Sequence, residues 1–200
     1  MGPNLRMRTF INLIVLIFSG IFFLNSQESD PIVVGLGFNA VDNSGSRFSE
    51  ILNVSENWNL SRLIKVSVEK RFDYDHGIIG ELSVNKFKVG KTINSEQIEN
   101  SLGYLALDIM FKNYTTNYIL DPKHAKYEGF VTAGFGANLI GSELAKTINV
   151  GFGFNIYLDF DLRLNLQTIG KFSIDSATSG NANHIQHSIT LIKWIGQNRK

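Results

Sequence analysis

The sequence predicts an all-β fold, an eight-stranded antiparallel up-and-down transmembrane β-barrel. Three observations carry that expectation. Apolar and polar residues alternate with period two through eight segments of about ten residues each. The connections between these segments tend to alternate between long and short. The polar face of the segments is rich in glycine, which a solvated strand surface disfavours.

Composition narrows the class. The chain has 200 residues, with 19 Lys and Arg against 18 Asp and Glu. That is a one-domain length without the basic excess of a nucleic-acid-binding protein. There is no cysteine, which excludes disulfide frameworks, thiol catalysis and Cys-based metal sites. With 3 prolines, 18 glycines, 15 phenylalanines and only 18% charged residues, the chain reads as ordered, with an exterior that need not face water.

Arg6 and Arg8 precede an apolar run at 10–24, and Asn25, Ser26 and Gln27 follow it. This is the pattern of a secretory signal peptide, and the run is short for a spanning helix. The expected division is a signal peptide at 1–27 and a barrel domain at 28–200. Removal of 1–27 leaves 17 basic residues against 18 acidic ones. Beyond residue 27 the longest unbroken apolar run is four residues, at 104–107, so no second hydrophobic span is expected.

The segments follow in order. Val34, Leu36 and Phe38 alternate with Gly35, Gly37 and Asn39. Ile64, Val66 and Val68 alternate with Lys65, Ser67 and Glu69. Leu82 and Val84 alternate with Glu81, Ser83 and Asn85. The fourth segment sets Leu105, Leu107, Ile109 and Phe111 against Ala106, Asp108, Met110 and Lys112. The fifth sets Val131, Ala133, Phe135 and Ala137 against Thr132, Gly134, Gly136 and Asn138. In the sixth, the even positions from Ile148 to Leu158 are apolar, and Asn149, Gly151, Gly153, Asn155 and Tyr157 lie between them. Phe160, Leu162, Leu164 and Leu166 alternate with Asp161, Arg163, Asn165 and Gln167. Last, Ile185, Ile189 and Leu191 alternate with Gln186, Ser188 and Thr190. The expected outward loops are 42–57, 89–101, 141–146 and 175–183. The stretch 95–102 is expected to hold a turn or two of helix.

The polar face identifies the inside. A narrow eight-stranded barrel needs small residues beside large ones to fill its taper. Gly35, Gly37, Gly134, Gly136, Gly151 and Gly153 supply the small ones. Lys65, Lys112, Arg163 and Lys171 share that face with Glu69, Glu81, Asp108, Glu128 and Asp161. Both signs together predict an interior charge network, with the apolar face turned to lipid. Tyr74, Tyr118, Tyr127, Tyr157 and Trp194 fall near strand ends. They are the expected aromatic girdle at the lipid–water boundary.

The stretches FNAVDNSG (38–45), GFGFN (151–155), LRLNLQTIGK (162–171) and HIQHS (184–188) carry a resemblance to a known family. Over 32–194 the chain resembles the eight-stranded barrel of outer-membrane protein A-like proteins. The resemblance implies a Gram-negative outer-membrane protein exported through its signal peptide. Members of that family often carry a peptidoglycan-binding domain after the barrel. The expectation here is the barrel alone, so cell-wall anchoring does not carry over. Such barrels tend to finish on an aromatic residue, for which Trp194 is the nearest match.

The search for chemistry finds little. His184 and His187 are three apart, which on a strand places them on opposite faces rather than as a metal pair. His76 and His124 sit alone in connections. Asp73 and Asp75 flank Tyr74 as ordinary turn residues. The glycines of GLGF and GFGFN lie inside strands, whereas a phosphate loop leads from a strand into a helix. There is no nucleophile-elbow motif. No enzyme activity, cofactor or metal is expected. The expected function is a non-enzymatic structural or interaction role in the outer membrane, including service as an accessory subunit of a larger complex. Expected partners are outer-membrane lipid and other outer-membrane proteins met through loops 42–57 and 89–101, and not nucleic acid. Two alternatives stay open: a small or gated channel, and a soluble secreted barrel that binds a lipophilic ligand.

Overall fold

The computed structural model describes residues 32–42, 58–59, 61, 63–90, 92–93, 96–121, 124–159, 161–174 and 183–195. The expected signal peptide, most of loop 42–57 and Phe160 lie outside the described residues. Eight long strands follow one another: β1 (Ile32–Asp42), β2 (Ile64–Arg71), β3 (His76–Phe87), β4 (Leu102–Asn113), β5 (Tyr127–Ile140), β6 (Glu143–Tyr157), β7 (Leu162–Ser173) and β8 (His184–Ile195). Each pairs antiparallel with the next, and β8 pairs with β1 over Ile32–Asp42, closing the sheet into a barrel.

The closure is staggered. Paired residues lead once around the wall from Asp42 through Ile185, Gly170, Val150, Ala133, Phe111, Ile78 and Lys70. They return to β1 at Ile32, ten residues from the start. For eight strands this shear fixes a strand tilt of about 40° and a backbone radius of about 8 Å. A lumen that narrow is filled by side chains.

The faces are inverted relative to a soluble protein. Leu36, Phe38, Phe135, Phe152, Phe154 and Leu191 are exposed on the outside, while Lys65, Glu81, Asp108, Lys112 and Lys171 are buried within. Among the described residues, more polar side chains than apolar ones are buried. A soluble barrel with a lipophilic ligand requires the opposite interior. Gly136 shows why the inner wall needs glycine. A Cβ there would collide with the Asp108 carboxylate and lie 2.6 Å from the Asn149 amide, where Asn149 donates to that carboxylate and Lys171 pairs with it.

The ends of the barrel differ. At one end, here the turn end, the connections are 72–75, 114–126 and 158–161, the second holding a 3-10 turn at Thr115–Tyr118. At the other, the loop end, the connections are 43–63, 88–101, 141–142 and 174–183. Two local expectations fail at the loop end. The expected loop at 141–146 is a two-residue hairpin, with Gly141 at φ 60° closing the turn without a Cβ clash. Leu144, Ala145 and Lys146 continue β6. The expected helical turn at 95–102 is instead a small hairpin of Thr92–Ile93 against Glu96–Gln97, and Leu102 already begins β4. The first misreading has a local cause in β6. At this end the outer face turns polar, with Lys146 exposed while Ala145 is buried, so the alternation that marks the lipid-facing wall breaks down.

Candidate functional site

The strands bring eight of the nine charged residues picked out from the sequence together as four pairs. Lys65 Nζ lies 2.9 Å from Glu81 Oε1. Lys112 lies 3.0 Å from Glu69. Lys171 lies 2.6 Å from Asp108, and Arg163 lies 3.0 Å from Glu128. Their positions follow from period two: each sits on the inward parity of its strand. Asp161 is left out of this interior set and stands 3.7 Å from Lys193 at the turn-end rim.

These pairs divide into two layers. Toward the turn end, Glu128 is the hub. Arg71 donates to both its oxygens, at 2.9 and 3.2 Å. Arg163 and Asn155 donate to Oε2 at 3.0 and 3.1 Å. The Arg71 guanidinium lies 3.6 Å over the Tyr114 ring, and Arg163 lies 4.1 Å over Tyr157 and 4.3 Å over Trp194. The Tyr114 hydroxyl donates to Glu69, the partner of Lys112. Such forks and stacked planes suit arginine.

Toward the loop end the chemistry is built from lysines and neutral amides. Lys65 donates to Gln167 at 2.8 Å and to Ser188 at 2.9 Å, besides its ion pair with Glu81. Asn149 donates to Asp108 at 2.7 Å, and Lys171 reaches Asn138 at 3.3 Å and the Tyr104 hydroxyl at 3.4 Å. That hydroxyl lies 2.8 Å from His184 Nε2. An apolar trio of Ile79, Met110 and Ile169 packs at mid-barrel. On β4, Met110 stands between Asp108 of one layer and Lys112 of the other. At the loop end Val41, Phe87, Tyr104 and Ala106 form an apolar cap, joined by Ile98, Leu102 and Ile140.

The expected girdle divides. Tyr74, Tyr118 and Tyr127 are exposed at the turn end. Trp194 is not in a girdle: it is 8% exposed, on the inward parity of β8, packed with Val33 and Ile192. Tyr157 likewise faces the inner rim beside Arg163. Parity turns both rings inward, and the Arg163 guanidinium lies over each, a contact that is favourable where water is scarce.

Arg71 is an interior residue that the sequence reading passed over; Tyr104 and Tyr114, near strand ends, are buried in the lumen rather than placed at the lipid boundary. Arg71 shares the parity of Lys65, Ser67 and Glu69, which is the signal that identifies it. His184 and His187 fall on opposite faces. His184 is inside against Tyr104, and His187 is outside, stacked on Trp58 at 4.5 Å. Among the described residues no group of His, Asp or Glu could hold a metal ion. In the 72–75 turn, hydrogen bonds from the His76 ring and from the Asp75 backbone hold the Asp73 carboxyl below its ordinary value.

This arrangement fills the lumen with side chains. Each interior cation meets a carboxylate, and apolar layers interrupt the polar ones. No family model matches the sequence, and neither does any curated protein. Solved structures do match the fold. The outer membrane protein OprG from Pseudomonas aeruginosa is 8% identical with a TM-score of 0.59, covering 86% of this chain and 99% of that one. Neisserial surface protein A is 9% identical with a TM-score of 0.52, covering 84% and 96%. The N-terminal β-barrel domain of Pseudomonas aeruginosa OprF is 10% identical with a TM-score of 0.51, covering 84% and 100%. The chain has the fold of these eight-stranded outer-membrane barrels.

Proposed function

We propose that this chain is a non-enzymatic, non-conducting barrel of the Gram-negative outer membrane, with a structural or interaction role. The observation that carries the reading is the inverted burial. Phenylalanine, leucine and isoleucine are exposed around the wall, while paired lysines, arginines and carboxylates fill the lumen. In water such an exterior would aggregate; in hydrocarbon it is at home. The turn end faces the periplasm, and the loop end faces outward. Loops 42–57 and 89–101 belong to its longest connections, so they are the segments through which it meets other outer-membrane proteins.

Fractionation of the host, with a gel that compares boiled and unboiled samples, tests the location. Outer-membrane recovery with a band that shifts on boiling is expected; soluble periplasmic recovery without a shift would sink the reading. Two neighbouring residues then test the faces. Leu164→Arg, placed on the lipid-facing parity, costs about 2–4 kcal/mol of folding into vesicles. Arg163→Leu still inserts. Planar-bilayer recordings are expected to show no general conductance, since the lumen is filled.

A further inference from the structure

Inside the barrel every lysine and arginine meets a carboxylate. On the outer wall near the loop end, two lysines do not. Lys86 follows Leu82 and Val84 on the outward parity of β3 and is half-buried. Among the described residues no side chain pairs with its ammonium. Lys88, two residues on, is exposed and likewise unpaired among the described residues.

Beside Lys86 the wall is hollow. Its register partner on β4 is Gly103, and the next residue around the wall is Gly141, whose N–H donates to the Gly103 carbonyl at 2.8 Å. A Cβ built on Gly103 would meet nothing within 4 Å, so the missing side chain leaves open space. The hollow holds about 280 Å³, and Lys86 is the one charged residue among those described that line it. Its floor is the next row of register partners, Val84, Leu105 and Leu139.

The strand sets its depth. Ile78, exposed near the turn end, and Lys86 are eight residues apart on β3. At about 3.3 Å each and a tilt of about 40°, they stand roughly 20 Å apart along the axis. A barrel's apolar band is about 25 Å tall, and exposed Tyr74 and Tyr127 mark its turn-end edge. Lys86 therefore stands at the opposite edge, at headgroup depth, with the Val84 row below it in hydrocarbon.

We propose that this hollow binds the anionic phosphate of a lipid headgroup in the outward leaflet. Lys86 and Lys88 hold the phosphate, and the start of an acyl chain rests on Val84, Leu105 and Leu139. The ammoniums donate in any orientation and select negative charge. The two glycines give the phosphate room to approach, and the apolar row favours a lipid over a free anion. The inference rests on the outer-membrane reading, which supplies both the bilayer and the direction of the loop end.

The test folds the full chain in mixed micelles holding equal amounts of phosphatidylglycerol and phosphatidylcholine with the same acyl chains. Native mass spectrometry then counts the lipid retained on the barrel. Wild type is expected to retain phosphatidylglycerol over phosphatidylcholine by about tenfold, from two ammoniums at headgroup depth. Lys86→Gln with Lys88→Gln is expected to bring the ratio to about one. Gly103→Leu fills the hollow, keeps both lysines and should at least halve the ratio. Lys126→Gln removes an exposed lysine at the turn end and should leave it unchanged. A wild-type ratio near one overturns the site. So does a ratio that Gly103→Leu leaves intact, because charge alone would then suffice. A loss with Lys126→Gln as large as with the Lys86 and Lys88 changes overturns it too. Inorganic phosphate in millimolar excess is expected to leave the lipid in place; displacement overturns the lipid as occupant. The lysine changes lie outside the backbone ladder, so they decide the matter if Gly103→Leu does not fold. A wild-type band that fails to shift on boiling overturns the outer-membrane reading and the site with it. A shifting barrel without lipid preference overturns the site alone.

Discussion

The two polar layers of the lumen solve the same problem differently. Near the turn end one carboxylate, Glu128, is shared by Arg71 and Arg163, whose planes rest on Tyr114, Tyr157 and Trp194. Near the loop end each lysine has its own carboxylate and a set of asparagines, glutamines and hydroxyls. The difference follows from the cations. A guanidinium offers a rigid fork and a flat face and cannot lose its proton; an ammonium is a point charge that can. The arginine layer is therefore strong and brittle, whereas the lysine layer is weaker and forgiving.

Substitutions test that contrast. Glu128→Ala leaves the buried Arg71 and the half-buried Arg163 without their carboxylate, and a loss of about 3–5 kcal/mol is expected in urea unfolding from lipid vesicles. Asp108→Ala is expected to cost roughly 2 kcal/mol, because Lys171 keeps the Tyr104 hydroxyl and the Asn138 amide oxygen as acceptors. Equal losses would break the comparison. Arg71→Lys keeps the charge but gives up the fork and the stacking, at about 1–2 kcal/mol by the same measurement. The double change Lys65→Met with Glu81→Gln removes both charges at once and is expected to fall within about 1 kcal/mol of wild type. The smallest effect is at the turn end. Asp73 has a depressed carboxyl, so its contribution is present above the ordinary value of 3.8 and is lost as pH falls through the lower folded value. Asp73→Asn should therefore change unfolding little, and the difference from wild type should shrink further in acid. A difference that grows in acid would contradict the assignment.

Much of this was legible by parity alone. The alternation at 148–157 gives both the lipid face and the lumen face of β6. The glycines at 134, 136, 151 and 153 mark where the inner wall must stay thin. Parity also places Trp194 with Gln186, Ser188 and Thr190, all inward. The rule that tryptophan and tyrosine at strand ends belong to a girdle overrode that signal for Trp194 and Tyr157. What sequence could not supply was the partner of each charge. The shear of the wall decides that Lys65 on β2 meets Gln167 on β7 and Ser188 on β8. No local pattern encodes a stagger that only closure defines.

The seam between β1 and β8 has a consequence for assembly. Its register partners, such as Phe38 and Ile189, lie almost a full chain length apart. Until the last strand is in place the sheet has two raw edges, each an invitation to pair with another chain. Long-range closure of this kind is slow, because the entropy of looping is spent before its contacts form. Over that interval Lys65 lacks Ser188 and the lumen stands open to water. Maturation therefore behaves as a latch: a chain lacking only its final strand is an unsealed sheet rather than a slightly weaker barrel.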